Sequence, residues 1–540
     1  MVRTTSDSKR IAGSIDKIAE KLSKDQREVS VSEFFEKNRH LLGYDNPTRA
    51  LLTVVKELVD NSLDATEEAR ILPRIWVEVK PSRADRFRVM VKDNGPGMTD
   101  KQVPLALGKL LYGSKFFRLR QSRGTQGIGA SGTILYSQLT TGKPTTIIAS
   151  TGNGKTSYYE LMIDVKKNEP EIVSHQFIND GKTWHGMKIE MEIEGRYIES
   201  RQSVPEYIKE VAIANPYADI VFDGPNGKME FKRSASELPS LPKEIMPHPH
   251  GIELGILRRM LKSTKSRTVS SFLMNDFTRI GSGTAKEICE KAGIDPRISP
   301  KRLEIEDSEK VFKAMQKVKL IRPPTDCLSP LGENLLIKGL QKEYNAEFFA
   351  AVSRPPEVYR GNPFQIEAAI AYGGELPEEG SVKIMRLTNR VPLLYQEGDC
   401  AITKAITRTD WRRYGLSQSG KNVPVGPAVV IVHLASVWVP YISESKQAIA
   451  SYPVIIKEMK LALQEVGRRL HRHVAGKRRI EKQKKRMEIF ERYFPVVAES
   501  VAKLTGKKQG PILNKLKNII KKSKKAVVDG RSKKETKKSR

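Results

Sequence analysis

Apolar positions along this chain of 540 residues recur with two periods, and the change from one to the other divides it. From Val31 to about residue 240, helical patterns alternate with β-rich runs at Ile75 to Lys80, Phe87 to Val91, Thr145 to Ser150, Tyr158 to Ile163 and Met187 to Ile193. That mixture predicts an α/β layer domain. In NPTRALLTVVKELVDNSLDATEEAR the period is helical. Asn46 is placed to cap and Pro47 to take the first helical position, where its missing N–H costs nothing, and Leu51, Val54, Val55, Leu58 and Val59 form an apolar stripe. The stretch LPSLPKEIMPHPHG, Leu238 to Gly251, breaks the pattern and reads as a linker. Helical spacing follows in GILRRMLKST, SSFLMNDF and IGSGTAKEICEKAG, the last closing on Gly293. A second break, RPPTDCLSP from Arg322 to Pro330, opens a region where strands return in FQIEAAIAYGG and PAVVIVHLASVWV. A long helix is predicted from near Tyr452 and Pro453 towards Arg492, with Leu461, Leu463, Val466 and Leu470 on one side and shorter amphipathic stretches beyond Pro495. The expected organisation is an arm over 1–30, an α/β domain over 31–240, a helical module over 241–321, a second α/β domain over 322–495 and a basic tail over 496–540.

Composition narrows the partners. A chain of this size outgrows a single core, so several domains are expected. Ninety-four Lys and Arg against 63 Asp and Glu give a net charge of +31, and such an excess gains from neutralising a phosphate backbone. Nucleic acid is therefore the expected partner, with solubility as the alternative source of the charge. The last forty residues hold fifteen Lys or Arg against two acids, the pattern of a disordered basic tail. No run approaches the roughly 18 apolar residues of a membrane span, and MVRTTSDSKR lacks the apolar core of a signal peptide. The expectation is a cytoplasmic, nucleoid-associated protein without membrane contact. Cys289, Cys327 and Cys400 have no paired spacing and read as core thiols rather than zinc ligands or disulfides.

Three motifs carry candidate chemistry. On the predicted helix Glu57, Asn61 and Asp64 fall at i, i+4 and i+7, on another face from the apolar stripe. An isolated stripe of this kind is ordinarily a solvated face. The strand Phe87 to Val91 runs into KDNGPGM, where Gly95 and Gly97 let a ligand approach the backbone and Asp93 can accept from an exocyclic amine. Third, YGSKFFRLRQSRGTQGIGASG ends in Gly124, Gly127 and Gly129 and enters a helix from Ile128 to Gln138, so that backbone N–H groups at the helix start can hold phosphate oxygens. Each alone is weak; in this order they describe a nucleotide pocket.

ELVDNSLDA, DNGPGM and RGTQGIGASG resemble, in order and spacing, the motifs of the GHKL ATPases, the superfamily of gyrase, the heat-shock chaperone, histidine kinases and the mismatch-repair ATPase. The resemblance implies an α+β multidomain chain whose first domain is a Bergerat-type α/β sandwich binding ATP and Mg2+. Glu57 then resembles the general base that activates water, Asn61 the magnesium ligand and Asp93 the reader of the adenine amine. Ser114 and Lys115 would belong to the lid. Gly97 and the stretch Gly124, Thr125, Gln126, Gly127, Ile128, Gly129, Ala130 and Ser131 would complete the nucleotide site. One departure stands out: Gly186-Met187 replaces the family's Gly-Thr, removing a hydroxyl expected beside adenine.

Four further segments resemble the B subunits of type VI (type IIB) DNA topoisomerases: ILYSQLTTGKP from Ile134, the helical module around IGSGTAKEICEKAGIDP, TDWRRYG, and VHLASVWVPYISESKQAIA. The family resemblance implies a helix-two-turns-helix domain and an α/β transducer domain ending in the long helix. Lys446 would be a switch lysine that contacts the γ-phosphate, and Trp411, Arg412 and Arg413 would face DNA. It further implies ATP-dependent dimerisation, an A subunit carrying the cleavage chemistry in an A2B2 heterotetramer, and double-stranded DNA as substrate. No tyrosine here has the acidic setting that cleavage needs. Two alternatives remain open at this level: another DNA-associated ATPase of the mismatch-repair kind, and a DNA-binding scaffold whose ATP site has decayed.

Overall fold

The computed structural model describes residues 20–23, 28–113, 118–124, 127–178, 184–443 and 445–519. The first strong local signal is realised as the sequence implies. Helix α2 (Pro47–Glu68) follows α1 (Val31–Lys37) and starts at Asn46, whose Oδ1 accepts from the Arg49 N–H at 2.9 Å, with Pro47 in the first turn.

Eight strands form one sheet: β1 (Arg74–Arg83), β2 (Arg86–Lys92), β3 (Thr145–Thr151), β4 (Thr156–Asp164), β5 (Glu169–Ile178), β6 (His185–Glu194), β7 (Asp219–Gly224) and β8 (Gly227–Phe231). Their order is β5-β4-β3-β6-β2-β1-β7-β8, antiparallel except that β1 and β7 are parallel. The helix that follows the glycine motif, α4 (Gly129–Thr141), comes after the short α3 (Gln102–Gly108), and α5 (Val204–Ala214) precedes β7. Leu51, Val54, Val55 and Leu58 of α2 share a core with Ile134 and Leu135 of α4, Ile208 and Val211 of α5, and the inward Ile75, Val77, Val89, Val91, Ile189 and Met191 of the strands. The sheet thus covers one side of a helical layer, and the polar side of α2 is left to line a cleft. Strands β5, β7 and β8 carry no clear alternation of their own in sequence; β5 lies at the sheet edge with Ile172, Val173 and Phe177 exposed.

Four helices, α6 (Leu254–Ser263), α7 (Val269–Asp276), α8 (Ser282–Ala292) and α9 (Ile305–Lys317), close around their own core of Leu257, Phe272, Leu273, Ile288 and Val311. Gly293 ends α8 in the left-handed region, φ 67°, which glycine adopts without strain.

After α10 (Gly332–Glu343) a second sheet is built from β9 (Phe348–Ser353), β10 (Glu357–Tyr359), β11 (Asn362–Tyr372), β12 (Lys383–Thr388), β13 (Val391–Pro392) and β14 (Ala428–Ser436). All nine residues of β14 are buried, because it lies between β11 and β12 and is covered on both faces. Asn389 and Arg390, both at positive φ (47° and 69°), make the two-residue turn between β12 and β13. Helix α11 (Ala401–Thr407) follows.

The final helix, α12 (Pro453–Thr505), spans 53 residues and is longer than its sequence suggests. Pro495 reads in sequence as its end, yet the helix continues through it, and residues 509–519 are helical again. Proline removes one hydrogen bond and crowds the preceding turn but does not forbid continuation on an exposed helix. The part of the expected tail up to residue 519 is thus largely helical; residues 520–540 and most of the N-terminal arm lie outside the described residues. Among the described residues, 411–417 and 467–519 group as a compact unit of their own. Within it Gly467 lets the Tyr414 ring sit against the helix, where a Cβ would fall 2.4 Å from Cδ2. The three cysteines are buried and unbonded to one another. Among the described residues no helix is long and apolar enough to cross a membrane.

Candidate active site

A cavity of about 1080 Å³ opens over the polar side of α2. Glu57, Asn61, Asp93, Gly97, Gly124, Gly127, Ile128, Gly129, Ala130, Ser131 and Lys446 all line it. Residues nearly four hundred positions apart therefore meet in one place. Ser114, Lys115, Thr125 and Gln126 lie outside the described residues.

One end of the cavity is built around Asp93, which is 5% exposed. Its Oδ2 accepts from the Ser62 hydroxyl at 2.8 Å, and its Oδ1 accepts from the N–H groups of Gly95 at 2.8 Å and Met187 at 3.1 Å. Burial pushes this carboxyl above its ordinary range in spite of those three donors. The expected Gly-Thr hydroxyl is indeed missing, and the backbone N–H of Met187 together with Ser62 orients the carboxylate instead. Two glycines are compulsory here. A Cβ on Gly186 would fall 2.2 Å from the Asp93 carbonyl oxygen, and one on Gly97 (φ 69°) 2.0 Å from that of Ser150.

The other end joins Glu57 and Asn61 to the glycine turn. Helix α4 begins at Gly129 with no side-chain cap, which leaves the first N–H groups of a helix directed at the cavity, an arrangement suited to phosphate. A Cβ on Gly129 would lie 2.2 Å from Glu57 Oε2, so this glycine is what admits the carboxylate beside the helix start. Asn61 Oδ1 faces Gly124, 4.0 Å from where a Cβ would stand. Leu111, at φ 59°, donates its N–H to the Gly127 carbonyl at 3.0 Å and ties the two sides of the segment together.

Lys446 reaches this end from the second sheet. It follows β14 and is a non-glycine residue at φ 53°, a conformation that persists only where surroundings impose it. Burial lowers its ammonium below the usual lysine range, against the opposing pull of Glu57. Lys56, which no sequence motif marks, bonds Glu57 Oε1 at 3.1 Å and approaches Asp60 at 3.5 Å. Burial raises the Glu57 carboxyl, but Lys56 and then Lys446 more than reverse this, and the net shift is downward. At neutral pH Glu57 is therefore an anion on the cavity wall, its side chain partly exposed.

Asp64 does not line the cavity with Glu57 and Asn61. About two turns further along α2 than Glu57, it is buried against Arg123, whose Nη1 donates to it at 2.9 Å. Arg123 Nη2 donates to Glu67 at 2.5 Å and to Asn215 at 2.7 Å, and Arg390 Nη2 reaches the second Glu67 oxygen at 2.7 Å. Burial opposes ionisation of Glu67, yet Arg123 and Arg390 hold its carboxyl below the ordinary range. The turn carrying Arg390 has other ties. Asn389 Nδ2 donates to the carbonyls of Ser122 at 2.9 Å and Ser436 at 3.0 Å, and the Arg390 N–H donates to His433 Nε2 at 3.0 Å. Because Nε2 accepts, Nδ1 carries the ring proton and donates to Glu367 at 2.8 Å. Buried polar bonds thus connect the residues just before the glycine turn to the second sheet. Nothing local marks Arg390 or Lys56 in sequence, and Arg123, although it opens the glycine motif, gives no sign there of the acids placed beside it.

Trp411 is fully buried, which takes its side chain out of reach of DNA in this conformation, whereas Arg412 and Arg413 face solvent. An indole is mostly apolar and gains more from burial than a guanidinium does.

Residues 49–183 match the family described as Histidine kinase-, DNA gyrase B-, and HSP90-like ATPase, and residues 323–486 match Topoisomerase VI B subunit, transducer. Among curated proteins the chain is 48% identical over 493 residues to the B subunit of type 2 DNA topoisomerase 6 from Methanosarcina barkeri, covering 91% of this chain and 79% of that one. It is 48% identical over 492 residues to the protein of the same name in Archaeoglobus fulgidus, covering 90% and 81%. Against that of Pyrococcus furiosus it is 39% identical over 543 residues, covering 92% and 94%.

Proposed function

The chain belongs to the family formed by the B subunits of type 2 DNA topoisomerase 6, and from that premise we propose how its cavity turns ATP hydrolysis into movement. It is the ATPase subunit of a type IIB topoisomerase. The adenine amine sits at Asp93, and the phosphates lie over the start of α4. Glu57 takes a proton from water as the water oxygen bonds the γ-phosphorus; the bond to the β-phosphate oxygen breaks and ADP leaves with the electron pair. Mg2+ suits the same end. Asn61 presents a hard, neutral oxygen towards Gly124, and among the described residues no cluster of three or more His, Cys, Asp or Glu offers an all-protein cage. Such an ion would draw the rest of its shell from phosphates and water, and would supply charge neutralisation there. Lid contacts from Ser114, Lys115, Thr125 and Gln126 belong to the same reading.

The observation that carries the reading is that Glu57 on α2 and Lys446 in the segment after β14 line one cavity. Lys446 contacts the γ-phosphate and loses that contact on hydrolysis, which gives two nucleotide states two preferred geometries. Two copies close on each other around a DNA duplex, within an A2B2 complex whose A subunit cuts the second duplex in the nucleoid. Arg412 and Arg413 face that DNA. The distal part of α12 exposes Ile489, Phe490, Tyr493, Val496, Val497 and Leu504, an apolar run suited to docking the A subunit.

Two measurements test this. Mixed with its A subunit, the chain relaxes supercoiled DNA only when ATP is present; relaxation without nucleotide, or a covalent DNA link formed by this chain alone, would refute the division of labour. Lys446→Ala weakens dimerisation driven by a non-hydrolysable ATP analogue by about tenfold or more, the worth of one charge-assisted contact. Dimerisation as tight as that of the native chain would remove Lys446 from the switch.

A further inference from the structure

Lys56 and Glu57 are neighbours on α2, and adjacent residues on a helix point about 100° apart and do not ordinarily meet. Here they do, at 3.1 Å. The Lys56 side chain is only 20% exposed and is held from both sides, because its ammonium also approaches Asp60 at 3.5 Å and Asp60 is fixed by the Tyr207 hydroxyl at 2.9 Å. Tyr441, in the segment between β14 and Lys446, closes the group, with its hydroxyl 2.9 Å from Thr388 Oγ1. The charged and titratable groups that influence Glu57 are thus Lys56 and Asp60 on α2, Tyr44 before it, Tyr207 on α5, and Tyr441 and Lys446 after β14.

Only two of these groups are cations, and the hydrolytic reading assigns one of them elsewhere. When the triphosphate arrives, Lys446 goes to the γ-phosphate and several negative charges enter beside Glu57. A buried carboxylate so placed takes up a proton unless a cation stays with it. A protonated Glu57 cannot accept the proton of the attacking water.

We propose that Lys56 is a positioning residue for hydrolysis: its ammonium holds Glu57 Oε1, keeps the carboxylate charged after Lys446 has turned to the phosphate, and leaves Oε2 for the water beside Gly129. Lys56 transfers no proton and touches no substrate. Its salt links to Glu57 and Asp60, both on α2, keep it with Glu57 in both nucleotide states. The proposal rests on Glu57 being the base.

The test uses the complete enzyme with its A subunit and compares Lys56→Met, Lys56→Arg and Glu57→Ala. In Lys56→Met, kcat for ATP at neutral pH falls about tenfold or more while KM changes by less than about threefold, and the acid limb of the kcat profile moves to about one pH unit or more above neutrality. Activity therefore recovers as the pH is raised, which a misfolded site would not do. Lys56→Arg restores the native profile. Calorimetry supplies a readout without turnover: measured in two buffers of different ionisation enthalpy at neutral pH, binding of a non-hydrolysable ATP analogue takes up about one proton more in Lys56→Met than in the native enzyme. If Glu57→Ala hydrolyses ATP normally, the base assignment fails first. If Glu57→Ala is inactive but Lys56→Met keeps the native acid limb and the native proton uptake, the Lys56 proposal alone is overturned. A Lys56→Met loss of kcat that no pH restores also overturns it.

Discussion

Glu57→Ala is expected to lower ATP turnover by about 10²- to 10⁴-fold, the usual contribution of a positioned general base, while binding of a non-hydrolysable analogue stays within a few fold of native. The expectation follows from what Glu57 touches. Its carboxylate bonds Lys56 and stands beside Gly129 at the start of α4, whereas the end of the cavity proposed for adenine is built around Asp93 with Ser62, Gly95 and Met187. Removing the base leaves that end intact and removes a negative charge from the phosphate end, so binding does not suffer. The variant should therefore trap the closed dimer, and in the complete enzyme it should permit nucleotide-dependent closure without repeated relaxation. Turnover near the native rate would show that water is activated by some other group.

Glu67→Ala is expected to cost about 3–5 kcal/mol of folded-state stability, because it leaves two buried guanidiniums facing each other without their shared anion. Arg123 and Arg390 both reach Glu67, from the loop before the glycine turn and from the turn between β12 and β13, and the Tyr217 hydroxyl donates to it at 2.6 Å. Chemical denaturation followed by a probe in each sheet would measure the loss. Conservative Glu67→Gln should recover little of it, since an amide offers one acceptor oxygen to two cations. The sign with pH is fixed by the same pair. Glu67 is held below its ordinary range in the folded chain, so its contribution is fully present above the unfolded carboxyl range and is lost as the pH falls through the lower folded value. Glu67→Ala should accordingly flatten the acid side of the stability profile. A cost under about 1 kcal/mol, typical of exposed pairs, would mean that solvent reaches this network.

The effect on function should be distinct from that on stability. Arg123 precedes Gly124 of the cavity wall, and the turn holding Arg390 also binds Ser122 and Ser436, the latter at the end of the strand that leads towards Lys446. Loosening this junction should reduce the response of ATP hydrolysis to DNA more than hydrolysis itself.

Periodicity was sufficient for α2, for strands β1 to β4 and β6, and for the helices α6 to α8, because each carries a stripe or alternation that only one local structure can bury. It failed for β5, an edge strand exposed on both faces, and for the end of α12, where Pro495 weakens but does not stop a solvent-exposed helix. At the site, sequence determined the residues whose backbone demands are local: glycines at turns, the cap at Asn46, and Glu57 and Asn61 one helical turn apart. It placed Asp64 with them, since a stripe on a helical wheel does not say where a cavity stops. What only the tertiary structure decided is which charges meet. Lys56 and Arg390 are two among 94 basic residues whose neighbours along the chain do not separate them from a solvated surface, and the glycine motif that Arg123 opens does not show which acids it meets. Trp411 shows the converse, a motif residue turned inward by its own apolar area. The physical reason is range. A cap, a turn or an apolar stripe is settled within a few residues, whereas the charge of a buried carboxylate depends on groups brought within a few ångströms from distant positions.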